Sequence, residues 1–217
     1  MKDLPTKEIR EGMKIINGDC MEVMKQYEDN YFDLCIVDPP YGININVSMG
    51  RRKGDKKSDY HKFAGNDSSI PSADYFEELR RVSKNQIVWG GNYMTEHLAP
   101  SPCWILWDKG FSSEVTFAQF EMAWTSFKSS AKKYNKCPND PSRIHPTQKP
   151  TGLYDFIYSR YAQEGQKILD THLGSGSNAI SAHYAKMGEF VGVELDEDYY
   201  KSACERIKKE TMQLELF

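Results

Sequence analysis

Long apolar runs are missing from this 217-residue chain. None approaches the ~20 residues that a membrane-spanning helix needs, so no membrane partner is expected. Cysteine is sparse and unpatterned. Cys20, Cys35, Cys103, Cys137 and Cys204 contain no Cys-x-x-Cys spacing, which favours free thiols in a reducing cytoplasm over zinc or disulfides. Segment 1–11 is polar and carries acids, so it does not read as a signal peptide. No internal repeat appears, and the length suits one domain over 1–217. An excess of positive charge is also lacking. The formal net charge is −3, which on its face argues against nucleic acid.

The distribution of charge argues otherwise. Residues 51–62 carry Arg51, Arg52, Lys53, Lys56, Lys57 and Lys62 against two acids, a net +4. Residues 128–136 carry Lys128, Lys132, Lys133 and Lys136 with no acid, another +4, which leaves −11 on the rest. Two basic segments on an acidic body fit a phosphate footprint. The first lies in a long polar loop, 43–66, with glycines at 50, 54 and 65. Loops of that length without structure are commonly lids or disordered.

The densest chemistry lies at Asp38-Pro39-Pro40-Tyr41-Gly42. It follows the apolar run Leu34-Cys35-Ile36-Val37, which reads as a buried parallel strand. Ligands bind at the C-terminal edge of open α/β sheets. Proline removes backbone donors and leaves the Asp38 and Pro39 carbonyls free to face a site. Tyr41 offers a flat face to a planar ring. Together these groups suit a pocket for an amine on an aromatic base: carboxylate and carbonyl accept from the amine, and the phenol stacks.

Downstream, Lys167-Ile168-Leu169-Asp170 reads as a strand. The turn Thr171-His172-Leu173-Gly174-Ser175-Gly176-Ser177-Asn178 and a helix over 179–187 follow. Such a turn lets backbone approach a ligand and presents helix N-terminal amides to polar groups. A second strand, 190–193, ends at Glu194, 20 residues after Gly174. That spacing suits a carboxylate on ribose hydroxyls in a Rossmann-like unit. Further strands are expected at 13–17, 86–89, 103–107 and 120–125. Helices are expected at 18–27, 74–82, 92–98, 153–162 and 197–212. The total is seven strands with helices between them. Trp89, Trp104, Trp107 and Trp124 read as core residues.

Asp38-Pro39-Pro40-Tyr41 resembles the catalytic motif of bacterial and phage S-adenosylmethionine-dependent DNA adenine-N6 methyltransferases. Cytosine-amine relatives usually carry Ser-Pro-Pro-Tyr, and RNA- and protein-modifying relatives Asn-Pro-Pro-Tyr, so Asp38 favours adenine in DNA. Residues 170–177 are similar to the family's Asp-Pro-Phe-x-Gly-Ser-Gly-Thr, with Thr171 for the proline and His172 for the phenylalanine. His145-Pro146-Thr147-Gln148-Lys149-Pro150 is similar to the segment that precedes the cofactor loop in the β-class of these enzymes. Asn17-Gly18-Asp19-Cys20 resembles the element that contacts the cofactor's adenine. The catalytic motif comes before the cofactor motif, the circularly permuted order of the β-class.

The resemblance implies an α/β fold of the Rossmann-like class I methyltransferase type, with a seven-stranded, mostly parallel sheet, one antiparallel strand and helices on both faces. It implies catalysis by Asp38, Pro39, Pro40 and Tyr41. S-adenosyl-L-methionine would be held by Asp19, Cys20, Asp38, Lys149, His172, Leu173, Gly174, Ser175, Gly176, Ser177, Asn178 and Glu194. Double-stranded DNA would meet Arg51, Arg52, Lys53, Lys56, Lys57, Lys132 and Lys133. Target recognition would fall in 108–144. A homodimer is implied, and no metal. The tail Gln213-Leu214-Glu215-Leu216-Phe217 resembles the peptide by which bacterial replication and repair proteins dock on the DNA sliding clamp. Two rivals stand: an RNA or protein methyltransferase, and a silent methyltransferase-like nucleic-acid binder, which His172 favours.

Overall fold

Apolar runs too short to span a membrane build a buried sheet. In the strand Phe32–Val37 (β3), Leu34, Cys35, Ile36 and Val37 are all buried. Parallel strands covered on both faces read as near-continuous apolar runs. The computed structural model describes residues 4–43, 67–111, 118–138, 144–145 and 148–212. In chain order the other strands are Thr6–Arg10 (β1), Met13–Asn17 (β2), Ser83–Trp89 (β4), Trp104–Asp108 (β5), Phe120–Thr125 (β6), Lys132–Asn135 (β7), Lys167–Asp170 (β8) and Glu189–Glu194 (β9). The sheet runs β1-β2-β9-β8-β3-β4-β6-β5-β7. β1 and β6 are antiparallel to their neighbours, and the remaining pairs are parallel.

Helices cover both faces. Cys20–Met24 (α1) and Ala73–Val82 (α2) pack Val23, Met24, Tyr75, Phe76 and Leu79 against one side, with Cys35 and Val37 of β3. Thr151–Tyr161 (α3), Ser177–Tyr184 (α4) and Glu197–Met212 (α5) pack Leu153, Ile157, Ile180 and Ile207 against the other, with Leu34 and Ile36. Trp89, Trp107 and Trp124 are buried, and Trp104 is partly so.

The expected seven strands become nine among the described residues. The additions, β1 and β7, are the two edges of the sheet. Their sequences, Thr-Lys-Glu-Ile-Arg and Lys-Lys-Tyr-Asn, carry no apolar run. Charged residues on an edge strand also discourage pairing with another chain. The helix expected over 92–98 is instead a single 3-10 turn, Gly91–Tyr93. The one expected over 18–27 shortens to α1.

The permuted motif order is reconciled by β8, which pairs with β3 through Leu34↔Ile168 and Cys35↔Leu169. The segment after β3 and the turn after β8 therefore meet at one edge of the sheet, although far apart in sequence.

Candidate active site

Asp38 follows β3 directly, with a side chain 20% exposed. Its Oδ1 accepts from the Tyr41 hydroxyl at 2.6 Å, and its Oδ2 from Lys149 Nζ at 2.5 Å. The Tyr41 and Gly42 amides both donate to Asp67 Oδ1, at 2.9 and 3.2 Å, which closes the turn. Burial pushes the Tyr41 phenol well above its ordinary value, and the charges of Asp38 and Glu121 push it further. The phenol therefore remains a donor at neutral pH. Gly90 makes room for the ring: a Cβ there would lie 2.2 Å from Tyr41 Cε1, and its φ is +68°. Tyr93, 44% exposed, stacks on Tyr41 with centroids 5.3 Å apart and planes 18° apart.

Lys149 lies beneath this motif with 3% of its side chain exposed. Besides Asp38 it meets Glu121 Oε2 at 3.1 Å, and it lies 5.1 Å from the Trp89 ring centroid. Glu121 Oε1 in turn meets Lys109 Nζ at 2.6 Å. Burial works to raise the Glu121 carboxyl, but the ammonium groups of Lys149 and Lys109 overcome it and hold it down at about 2. Burial likewise works to lower Lys149, and Asp38 and Glu121 more than offset it, so the ammonium is held charged. The result is a neutral chain of alternating charges: Asp38, Lys149, Glu121, Lys109.

The turn after β8 forms a second cluster. Gly174 N donates to Glu194 Oε2 at 2.8 Å, and Asp196 N to Glu194 Oε1 at 3.0 Å. Glu194 ends β9, beside Asn17 and Gly18, which donate to its backbone carbonyl. Asp19 caps α1 by accepting from Met21 N at 2.8 Å. Burial raises the neighbouring Cys20 thiol to about 12, so it is no nucleophile. Asp170 is buried and accepts from His172 N and from Asn178 Nδ2, while Asn178 also reaches the Ile36 carbonyl of β3. Burial pushes the Asp170 and Glu194 carboxyls both up to about 7. Burial also lowers His172 to about 4, so its ring is neutral. Thr171 Oγ1 lies within hydrogen-bond distance of both His172 Nδ1 and the Tyr75 hydroxyl. Gly174 has φ +54°, and a Cβ there would sit in ordinary van der Waals contact with the His145 ring at 3.8 Å, so the left-handed backbone rather than crowding calls for glycine. Leu173, Ser175 and Ser177 are buried. Arg206 Nη1 donates to the Ser175 carbonyl and the Ser177 hydroxyl, while a Cβ on Gly176 would strike Ile207 of α5 at 2.8 Å. These three positions thus brace the turn against α5.

Of the basic residues, Lys132 and Lys133 are exposed on β7, and Lys133 pairs with Asp108 at 2.9 Å. Arg51, Arg52, Lys53, Lys56 and Lys57 lie outside the described residues, as do Pro146, Thr147 and the tail 213–217. The region 108–144 contains the strands β6 and β7; residues 112–117 and 139–143 lie outside the description. No described helix is long and apolar enough to cross a membrane. No described cluster of three His, Cys, Asp or Glu residues is placed to hold a metal.

Residues 77–205 match the DNA methylase family N6_N4_Mtase. The chain belongs to that family. The type II methyltransferase M.HpaI of Haemophilus parainfluenzae is 25% identical over 245 residues, covering 91% of this chain and 74% of the relative. Among solved structures, the M1.HpyAVI–SAM complex superposes with a TM-score of 0.61 at 17% identity, covering 90% of this chain and 98% of that one. The cytosine-N4-specific PvuII DNA methyltransferase gives 0.62 at 10% identity, covering 97% and 96%. The methylase thus has the class I methyltransferase fold and uses S-adenosylmethionine on a DNA substrate.

The donor set fits that cofactor. Two buried carboxyls, pushed up by burial, suit a ligand that brings cationic groups and hydroxyl donors. Sequence reasoning gives no site role to Gly90, Tyr93, Asp67, Tyr75 or Glu121, and Asp170 enters it only as the end of a strand and the first residue of the 170–177 motif. Gly90-Gly91 after a strand was the one available signal, and it reads as a turn until the Tyr41 ring is placed against it.

Proposed function

We propose that this methylase transfers a methyl group to the N6 amine of adenine in DNA, with the target base turned out of the helix into the Asp38 site. The observation that carries the reading is Asp38 itself. A carboxylate, rather than a serine hydroxyl, heads the motif beside the cofactor turn, with Tyr41 hydrogen-bonded to it and Tyr93 stacked behind.

The adenine amine is a poor nucleophile because its lone pair is delocalised into the ring. A carboxylate offers about four lone-pair sites, and Tyr41 and Lys149 use one each. Asp38 can therefore accept one amine hydrogen while the Pro39 carbonyl accepts the other. Both bonds favour a tetrahedral nitrogen whose lone pair is free to attack. When bound, S-adenosylmethionine supplies the electrophilic methyl. Asp38 takes the amine proton as that nitrogen becomes cationic. Positioning and electrostatics carry most of the rate, and no covalent nucleophile is assigned. Turning out the base costs a few kcal/mol of unstacking, which stacking on Tyr41 and the pocket hydrogen bonds offset. Glu194 is assigned to the ribose hydroxyls, Asp19 and Cys20 to the adenine of the cofactor, and residues 172–178 to its methionyl end.

A second reading, cytosine-N4 transfer, is favoured by the fold shared with the PvuII enzyme. Methyl incorporation into oligodeoxynucleotides lacking either adenine or cytosine separates the two, and matched RNA tests the remaining rival. The basic residues of 51–57, with Lys132 and Lys133, are assigned to DNA phosphates. We also propose a homodimer, which a solution mass of 25.0 kDa would reject, and docking of 213–217 on a bacterial sliding clamp, which a flat titration against clamp would reject.

A further inference from the structure

We infer that Glu121 is a positioning residue for methyl transfer: it holds Lys149 in place beneath the motif when Asp38 turns its carboxylate to the target amine. The inference rests on the reading of Asp38 as the amine acceptor. Lys149 is 3% exposed and has two carboxylate partners, Asp38 at 2.5 Å and Glu121 at 3.1 Å. A buried ammonium that loses its partner is strongly unfavourable. Once Asp38 takes the amine proton it is no longer a charged partner, and Glu121 is the acid left to keep that ammonium anchored. Glu121 is itself fixed. Its other oxygen is held by Lys109 at 2.6 Å, and Lys109 is only 15% exposed, 5.3 Å from the Trp107 ring centroid. Tyr41, 3.3 Å from Lys149, Tyr154 of α3, within the field of Asp38 and Glu121, and Asp170 of β8, within the field of Asp38, are further titratable neighbours.

Glu121 also divides the lysine's charge. Without it, the whole pull of Lys149 falls on Asp38. That makes the carboxylate a weaker acceptor for the amine and its proton. Asp38 follows β3, Lys109 follows β5, Glu121 lies on β6 and Lys149 precedes α3, so only the fold brings the four together.

The test uses the full chain with E121Q, E121D, K149M, the double variant E121Q/K149M, and D38A as a reference. E121Q should lower kcat about 10- to 100-fold, the cost of one lost charge-assisted hydrogen bond. Cofactor affinity should stay within about threefold. The alkaline limb of the kcat–pH profile should move to lower pH, because one of the two acids that raise Lys149 is gone. E121D should recover part of the rate. The double variant should be no slower than K149M alone, because Glu121 acts through the lysine. If E121Q does not fold, E121D against K149M carries the same comparison. Losses that multiply in the double variant, or an unmoved pH profile, would overturn the inference. An active D38A would instead overturn the reading beneath it, whereas an inactive D38A beside a fully active E121Q would overturn this inference alone.

Discussion

Raising the pH from 5 to 8 should cost the cofactor-free protein about 2.5 kcal/mol through Glu194 alone. Burial lifts this carboxyl from the 4.5 of an ordinary glutamate to about 7, and the residue is 4% exposed, so solvent screens little of the effect. The folded state therefore binds a proton more tightly than the unfolded chain does. Its stabilising contribution is fullest below pH 4.5 and disappears as the pH climbs through 7. The window from pH 5 to 8 takes in most of the roughly 3 kcal/mol that a shift of this size represents. Asp170, raised in the same way, adds a loss of the same sign. Urea unfolding at pH 5, 6, 7 and 8, with Glu194→Gln alongside, isolates the contribution: wild type should lose ground to the variant as pH rises. A ligand whose hydroxyls donate to the ionised carboxylate pulls that pKa back down. Cofactor affinity should therefore increase with pH up to about 7, and Glu194→Ala should lower it by about 1.5–3 kcal/mol. A stability difference between wild type and Glu194→Gln that is flat with pH would refute the reasoning, as would calorimetric affinities for Glu194→Ala equal to wild type.

Gly90→Ala should destabilise the protein by more than about 1 kcal/mol, because φ is +68° and the new methyl meets the Tyr41 ring at 2.2 Å. Turnover should drop with it while cofactor binding survives; denaturant unfolding beside steady-state kinetics checks both. Neutralising Arg51, Arg52, Lys53, Lys56 and Lys57 together should weaken DNA binding and flatten its salt dependence. Each lost phosphate contact should remove about 0.9 from the log–log slope, and an unchanged slope would show that the segment is only solvated.

Sequence carried the parts of this architecture that depend on contiguous signals. The Leu34–Val37 run marks a buried strand, and β3 bears that out. The 20-residue interval from Gly174 to Glu194 suits a Rossmann-like unit with an acid for ribose hydroxyls; in the structure the Gly174 amide donates to that carboxylate. β1 and β7 escaped because an edge strand needs no apolar alternation when backbone pairing on one side holds it. Glu121 escaped for another reason. Read alone, it is one acid in Phe-Glu-Met-Ala-Trp-Thr; only the pairing of β6 with β4 and β5 brings it to Lys149. The swap of His172 for phenylalanine also finds a place: the neutral ring packs edge-on to Tyr75, 5.6 Å between centroids, as a phenyl would.

Nucleoside analysis of DNA from cells expressing the protein tests adenine-N6 transfer through Asp38 most directly. DNA from the wild-type strain, digested and resolved by mass spectrometry, should contain N6-methyldeoxyadenosine. DNA from an otherwise identical strain carrying Asp38→Ala should contain none, although the purified variant binds S-adenosylmethionine within about tenfold of wild type, roughly 1.4 kcal/mol. N4-methyldeoxycytidine in place of N6-methyldeoxyadenosine, or equal methylation in the two strains, would contradict the account.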